Sequence, residues 1–152
     1  DVDGETITLT DVMGEQKVLE GTIVMVDLAK HNTGEYVPLN DIAERQDISE
    51  KYLESIVSSL SKANVVDSAR GKGGGYRLNR ELKDYPVSEI LRATEGSIAP
   101  VACLDKEVND CARAPECPTL AMWENLQKLI DDYFANVTLE DLVLGKLNAD
   151  KL

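Results

Sequence analysis

The spacing of apolar positions predicts a chain that is mainly helical. Residues 22–31 place their apolar side chains mostly on one face, and the polar, Gly-containing segment 32–34 is typical of a helix end. A short helix is predicted over 39–46, and a third helix runs from its N-cap Ser49 to about Ala63. The third helix is apolar along one side only, at Tyr52, Leu53, Ile56, Val57 and Leu60. Its other face is polar and free to bind a partner.

A β-hairpin is predicted directly after the third helix. Val65-Val66 and Tyr76-Arg77-Leu78 read as two strand-like pieces around the glycine-rich, basic segment 67–75. Glycines permit positive φ and a close approach of the backbone to a phosphate or a groove. Two helices joined by a tight turn are a weak signal alone, but a basic hairpin after them is the winged-helix arrangement.

The C-terminal half is predicted to contain a short helix, a loop and one long helix. The short helix covers 88–94 and ends at Gly96, and Pro118 is expected to open a long helix that ends near Asn136. An apolar stripe at heptad-like spacing predicts that the long helix packs on its own domain and on a partner, through Trp123, Leu126, Ile130, Tyr133 and Val137. The predicted fold class is therefore mainly α with a small β-hairpin wing, that is, a winged helix-turn-helix plus a long C-terminal dimerisation helix.

Four segments follow from these patterns. We expect an atypical N-terminal segment over 1–21, a winged-helix DNA-binding domain over 22–96, a cysteine loop over 97–118, and a dimerisation helix with a tail over 119–152. The start is poorly readable, although the alternation from Thr6 to Thr10 resembles a short strand.

Charge is unevenly distributed along the chain. The net charge of −12 disfavours nucleic-acid binding at first sight, because most affinity for a duplex comes from Lys and Arg. The window from Ser58 to Arg80, however, holds five positive residues against Asp67 and carries +4, which leaves −16 elsewhere. An acidic body with one basic edge can still dock on DNA by that edge. No apolar run approaches the ~18 residues of a membrane span, and no export segment is visible, so a cytoplasmic protein is expected.

The cysteines and the one histidine are the candidate sensing chemistry. Cys103, Cys111 and Cys117 lie within 15 residues, an odd number that argues against a disulfide framework. Their spacing is too wide for common structural zinc sites, and thiolates suit iron–sulfur clusters. Cys117 is expected at the N-cap of the long helix, where the helix dipole lowers a thiol pKa. Ordinary loop cysteines remain the alternative, and His31 is expected to offset a helix dipole rather than bind metal.

Several of these segments together resemble the IscR/NsrR/CymR family of bacterial winged-helix repressors. The resemblance rests on 38–44 and 48–54 as the helix-turn-helix, on 70–78 as the wing, on Thr94-Glu95-Gly96, and on the three cysteines with Trp123 on the helix after them. It implies a homodimer joined through the long helix, with two recognition helices in successive major grooves of double-stranded operator DNA. In cluster-binding members three cysteines of this loop hold the iron, which here implies a 2Fe-2S or 4Fe-4S cluster on Cys103, Cys111 and Cys117. The fourth ligand is unknown, since the position of the family's histidine ligand is Leu120.

The predicted DNA contacts lie on the third helix and the wing. Carboxylates accept from cytosine N4 in the major groove, and the resemblance favours this role for Glu54 over a merely solvated position. Tyr52 fits a DNA contact or the core equally well. For Arg77 and Arg80, the alternative to a DNA contact is a solvated position at a strand edge. The full set of candidates is Ser49, Lys51, Tyr52, Glu54, Ser55, Ser58, Lys62, Arg70, Lys72 and Gly73.

The predicted function is a homodimeric DNA-binding transcriptional repressor that senses iron–sulfur or redox status through the cysteine loop. No catalytic constellation is present, and the glycine-rich wing lacks the helix context and GK[ST] ending of a phosphate-binding loop, so no enzymatic activity is expected. Two alternatives remain. One is a cofactor-free regulator controlled by a protein partner or by thiol oxidation, and the other is a cluster or redox accessory protein that does not bind DNA.

Overall fold

The computed structural model describes residues 2–3, 6–7, 9–10, 16–17 and 20–147. The first four ranges form two small antiparallel pairs, β1 (Val2–Asp3) with β2 (Thr6–Ile7) and β3 (Leu9–Thr10) with β4 (Gln16–Lys17). The strand expected from Thr6 to Thr10 corresponds to β2 and β3, with Thr8 outside the described residues.

The rest of the described chain is mainly helical, as predicted. The six helices are α1 (Glu20–Lys30), α2 (Leu39–Gln46), α3 (Glu50–Lys62), α4 (Val87–Glu95), α5 (Leu120–Asn136) and α6 (Leu139–Leu144). The first helix thus starts two residues earlier than expected, and α2 has the predicted bounds. Among the described residues, no helix has both the length and the apolarity that a bilayer crossing requires.

Helices α1, α2 and α3 enclose the main core. Each of the three buries apolar side chains there, and α3 contributes Leu53, Val57 and Leu60, each 0% exposed. Asp47 adopts φ 52 in the turn after α2, and Ser49 then caps α3 by accepting a hydrogen bond from the Tyr52 backbone N–H at 3.3 Å. The predicted helix-turn-helix and its Ser49 cap are confirmed.

The wing consists of β5 (Val66–Ala69) and β6 (Gly75–Leu78), which pair antiparallel. Residue Val37, just before α2, adds a short bridge to β6: Val37 N–H donates to Tyr76 O at 2.8 Å, and Tyr76 N–H donates to Val37 O at 2.9 Å. Gly75 makes this approach possible, since a Cβ at its φ of +145° would lie 2.1 Å from Val37 O. The wing is thereby fixed against the helix-turn-helix.

The start of the long helix differs from the prediction. Helix α5 begins at Leu120 with Thr119 at its N-cap, so Pro118 does not open the helix and Cys117 is not its N-cap. A 3₁₀ turn over Ala114–Glu116 precedes it, and Cys117 continues in an extended conformation at φ −74 and ψ 112. The N-cap position expected for Cys117 was therefore wrong.

Helix α5 has no fully buried residue, and its C-terminal end packs against α4. Val137 packs with Val87 and Leu91 in a small second core, and Leu139 of α6 is 0% exposed within the main core. Met122, Leu126 and Leu129 are exposed on one side of α5, by 54%, 38% and 67%. This leaves an apolar face on α5 without a partner in the described chain.

Candidate nucleic-acid interface

The polar face of α3 is open to solvent, as a recognition helix requires. Leu53, Ile56, Val57 and Leu60 point into the core, while Lys51, Glu54, Ser55, Ser58 and Lys62 lie on the other side. Ser58 is half-buried, and the remaining candidates on and before α3 are exposed: Ser49, Lys51, Tyr52, Glu54, Ser55 and Lys62.

The wing tip, residues 70–74, connects β5 to β6. Arg70, Lys72 and Gly73 are exposed. Gly71 and Gly73 have φ of +85° and +78°, and the Gly74 N–H donates to Gly71 O at 3.0 Å, which closes the turn. The hydroxyls of Ser61 on α3 and Ser68 on β5 are 3.2 Å apart. The structure therefore brings the end of α3 and strand β5 of the wing together, as the sequence predicts.

The cations of α3 and of the basic window divide into two groups. Arg77 lies 3.5 Å from Asp67 and stacks over Tyr36, with its Cζ 4.5 Å from the ring centroid. Arg80 forms hydrogen bonds of 2.9 and 2.8 Å to the two carboxylate oxygens of Glu89 and stacks over Tyr85. These hydrogen bonds and the charge of the Glu89 carboxylate raise the pKa of Arg80 above the ordinary value for an arginine. Both arginines have intramolecular acidic partners, so they stabilise the wing base.

The second group has no such partner. Among the described residues, no carboxylate lies within ion-pair distance of Lys51, Lys62, Arg70 or Lys72. These four cations belong to α3 and the wing tip. On this surface they are the charges that are available to a phosphate backbone.

Tyr52 is half-exposed at the N-terminal end of α3, which excludes a fully buried core position. Partial burial raises the pKa of its phenol, and the nearby carboxylates of Glu20 and Glu95 raise it further. The phenol therefore remains neutral at physiological pH and can donate a hydrogen bond.

A buried ionic cluster behind the helix-turn-helix was missed by sequence reasoning. Asp27 of α1 is 2% exposed, and it accepts hydrogen bonds from Arg45 and Gln46 of α2. Burial alone raises the pKa of Asp27, but these hydrogen bonds, with the charges of Arg45 and His31, bring it below its usual value. His31 follows α1, and its Nδ1 lies 2.9 Å from Asp27 O. The sequence signal that could have revealed this cluster is the acidic Asp27 among the apolar residues of α1.

The cysteine loop places its three thiols on separate turns. Cys103 lies in a 3₁₀ turn over Ala102–Leu104, Cys111 follows Asn109, whose Oδ1 accepts from the Cys111 N–H at 3.0 Å, and Cys117 precedes α5. All three are free and half-buried. Within the described chain, no three His, Cys, Asp or Glu side chains are grouped closely enough to hold a metal ion. The loop in this arrangement does not fit an iron–sulfur cluster.

The Cys117 thiol has a lowered pKa for a local reason. Its Sγ lies 3.6 Å from Thr119 Oγ1, and hydrogen bonding to the Thr119 hydroxyl and backbone is the main cause, aided by the charge of Arg113. The lowered pKa expected for this thiol is thus present, but it comes mainly from Thr119, with a smaller contribution from the Leu120 backbone N–H at the start of α5, and not from an N-cap position.

Sequence comparison agrees with this geometry. Residues 15–145 match the Rrf2 family, described as an iron-dependent transcriptional regulator. The HTH-type transcriptional regulator IscR of Vibrio campbellii is 40% identical over 119 residues, which are 78% of this chain and 70% of that protein. The protein of the same name from Xenorhabdus nematophila is also 40% identical, over 78% of this chain and 71% of the relative.

Solved structures of similar fold include CymR, the global cysteine regulator of B. subtilis, at 32% identity and a TM-score of 0.64, covering 84% of this chain and 92% of that one. The structure of T. potens IscR is 32% identical with a TM-score of 0.62, covering 90% and 92%. The matches confirm the winged-helix fold and the family resemblance, and the relatives are named as regulators rather than enzymes. This chain belongs to the Rrf2 family and is a transcriptional regulator.

Proposed function

We propose that this protein is a transcriptional repressor that binds double-stranded operator DNA as a homodimer. The observation that carries the proposal is the set of cations on α3 and the wing tip without an acidic partner among the described residues, Lys51, Lys62, Arg70 and Lys72. Phosphate contacts from such cations supply most of the affinity for a duplex.

In this proposal α3 enters the major groove and the wing tip contacts the adjacent backbone. Lys51, Lys62, Arg70 and Lys72 bind phosphates, with hydrogen bonds from Ser49, Ser55, Ser58 and the Tyr52 phenol. The Gly73 backbone approaches the duplex without a side chain in the way. Glu54 is exposed on the same face and accepts from cytosine N4.

Dimerisation is proposed through α5. Its exposed Met122, Leu126 and Leu129 form an apolar face too extensive to be typical of isolated surface residues. A second copy of the chain covers this face and places two α3 helices on two half-sites, which matches the two-fold symmetry of a palindromic operator. In this proposal each segment has one role: residues 22–96 bind DNA, residues 97–118 sense the signal, and residues 119–152 form the dimer.

The DNA-binding proposal is tested by fluorescence anisotropy. The probe is a duplex selected by the wild-type protein from a random pool. Arg70→Ala and Glu54→Ala should each weaken binding by about tenfold, since one charge-assisted or base-edge hydrogen bond is worth about 1.5 kcal/mol. Lys146→Ala, which removes an exposed cation near the C-terminus, is the control and should bind as the wild type does. Selection that recovers no common sequence, or equal affinities for Arg70→Ala and Lys146→Ala, would refute the proposal.

A second proposal concerns the cysteine loop, which we infer to be the sensing element. Three half-buried free thiols in one loop next to the proposed dimerisation helix favour this role. The structure of CymR from S. aureus, which is 28% identical to this chain with a TM-score of 0.60, has been solved in an oxidised form. Cluster binding would require the loop to rearrange and bring Cys103, Cys111 and Cys117 together, with a fourth ligand from elsewhere.

Anaerobic reconstitution with iron and sulfide distinguishes the forms of sensing. Visible absorbance that is lost in Cys111→Ala supports a 2Fe-2S or 4Fe-4S cluster. A colourless protein whose DNA affinity changes with a disulfide-forming oxidant supports thiol oxidation. Colourless protein with oxidant-independent affinity refutes sensing by this loop and leaves control by a protein partner.

A further inference from the structure

A buried carboxylate connects α1 to the last turn of α2. The Asp27 side chain is 0% exposed. Arg45 donates from Nη2 to Oδ1 at 2.7 Å and from Nε to Oδ2 at 3.0 Å, and Gln46 Nε2 donates to Oδ2 at 2.7 Å. Both carboxylate oxygens are thus held by two consecutive residues of α2.

The cluster lies directly before the recognition helix. Only residues 47–49 separate Gln46 from α3. Asp47 is held at φ 52, the Ile48 N–H donates to Ala43 O at 3.1 Å, and Ser49 caps α3. Because this connection is short and internally hydrogen-bonded, a rotation at the end of α2 passes directly to α3.

We propose that Asp27 is a positioning residue, which sets the orientation of α3 for base readout through Arg45 and Gln46. The inference rests on the proposed DNA-binding function. It concerns specificity and assigns no DNA contact to Asp27.

Directionality is the reason that this cluster can set an orientation. The apolar contacts between α2 and α3, such as those of Ile42, are non-directional and permit small rotations. A guanidinium held on both oxygens of one carboxylate has a fixed geometry. Because the Arg45 guanidinium is hydrogen-bonded to Asp27, it is not available to bind a phosphate in the same way.

The two parts of DNA affinity differ in their tolerance to a misplaced helix. Base-edge hydrogen bonds from α3 require positions accurate to about 0.5 Å, whereas long Lys and Arg side chains reach phosphates from a range of positions. Loss of the hydrogen bonds between Asp27 and α2 should therefore reduce the affinity for the specific DNA sequence and leave the affinity for non-specific DNA nearly unchanged.

The test compares two duplexes at one salt concentration. The full-length protein and its variants are titrated against the wild-type-selected duplex and against a duplex of random sequence, with the folded fraction measured by circular dichroism. Asp27→Asn should weaken binding to the selected duplex by about tenfold and to the random duplex by less than about twofold. Arg45→Lys keeps the positive charge, on a side chain that is 31% exposed, but loses the paired hydrogen bonds of the guanidinium to Asp27. It should also weaken binding to the selected duplex more than to the random duplex. This second variant covers the case in which Asp27→Asn does not fold.

The control variant is Glu81→Gln, which breaks the exposed Glu81–Lys83 ion pair of 2.7 Å. It should leave both affinities unchanged. Equal loss on both duplexes for Asp27→Asn and Arg45→Lys, in proportion to the folded fraction, would mean that the cluster is merely structural and would overturn the inference, as would unchanged specific affinity in both. Failure of the wild type to distinguish the duplexes would instead refute the proposed function.

Discussion

Gly75 shows how one residue joins the wing to the helix-turn-helix. Its φ of +145° is strained for any side chain, and an added Cβ would lie 2.1 Å from Val37 O, which is backbone and cannot move aside cheaply. Gly75→Ala should therefore lower the free energy of unfolding by about 3 kcal/mol or more, of which backbone strain accounts for about 1–3 kcal/mol. Urea denaturation measures this change.

Gly34→Ala is the matched control for Gly75→Ala. Gly34 also has a positive φ, +85°, but nothing lies within 4 Å of its added Cβ. This variant should lose only the conformational part, about 1 kcal/mol. Equal losses for the two glycines would show that the contact with Val37 does not constrain the wing.

Asp27 predicts a specific acid sensitivity of folding. An unfolded Asp has a pKa near 3.9, and the folded pKa of Asp27 is lower because Arg45 and Gln46 hydrogen-bond the carboxylate. The resulting stabilisation is fully present above the unfolded value and is lost as pH falls through the folded value. The difference in unfolding free energy between wild type and Asp27→Asn should shrink as pH falls below about 4. A difference that stays constant into acid would contradict this role of the carboxylate.

The residues that the sequence predicted correctly are those with local signals. Ser49 was recognised as a cap because capping involves residues three positions apart, and the wing glycines because turns require them. Asp27 was not recognised, since its partners Arg45 and Gln46 are 18 and 19 residues away. The exposed set on α3 followed from periodicity alone, but whether each member contacts DNA does not follow from exposure.

Among the elements, α2 was predicted with its observed bounds, and α3 from its cap and strong periodicity. The start of α5 was not, because proline is compatible with a first helical turn but does not cause one. The 3₁₀ turn over Ala114–Glu116 and the extended Cys117 direct the chain so that the helix begins only at Leu120. This difference of two residues removed the N-cap role of Cys117.

Helix α5 gives a prediction about assembly. Leu129 is 67% exposed within the apolar face, and burying a charge there without a partner is costly. Leu129→Glu should convert the proposed dimer into a monomer at micromolar concentration, as measured by sedimentation velocity.

Ala135→Glu introduces the same charge elsewhere on α5. Ala135 is exposed and lies outside the face of Met122, Leu126 and Leu129. This variant should remain dimeric. A wild-type protein that is monomeric, or dissociation by both variants, would refute dimerisation through this face.

For the whole molecule, the uneven distribution of charge was predictable from the sequence, but the pairing of individual charges was not. Arg77 and Arg80 belong to the basic window, yet the fold pairs them with Asp67 and Glu89. Four exposed cations on α3 and the wing tip therefore remain without an ion pair within the described chain, on a molecule whose net charge is −12. This arrangement should disfavour non-specific DNA binding and favour a duplex that α3 fits.

The salt dependence of operator binding tests this account most directly. A plot of log affinity against log salt concentration has a slope set by the number of phosphates that the protein neutralises. Lys72→Ala should reduce the magnitude of the slope by about one, whereas Arg80→Gln, which removes a cation already paired with Glu89, should leave the slope unchanged. If both variants changed the slope equally, or Lys72→Ala left it unchanged, the unpaired cations of α3 and the wing tip would not be the DNA-binding surface.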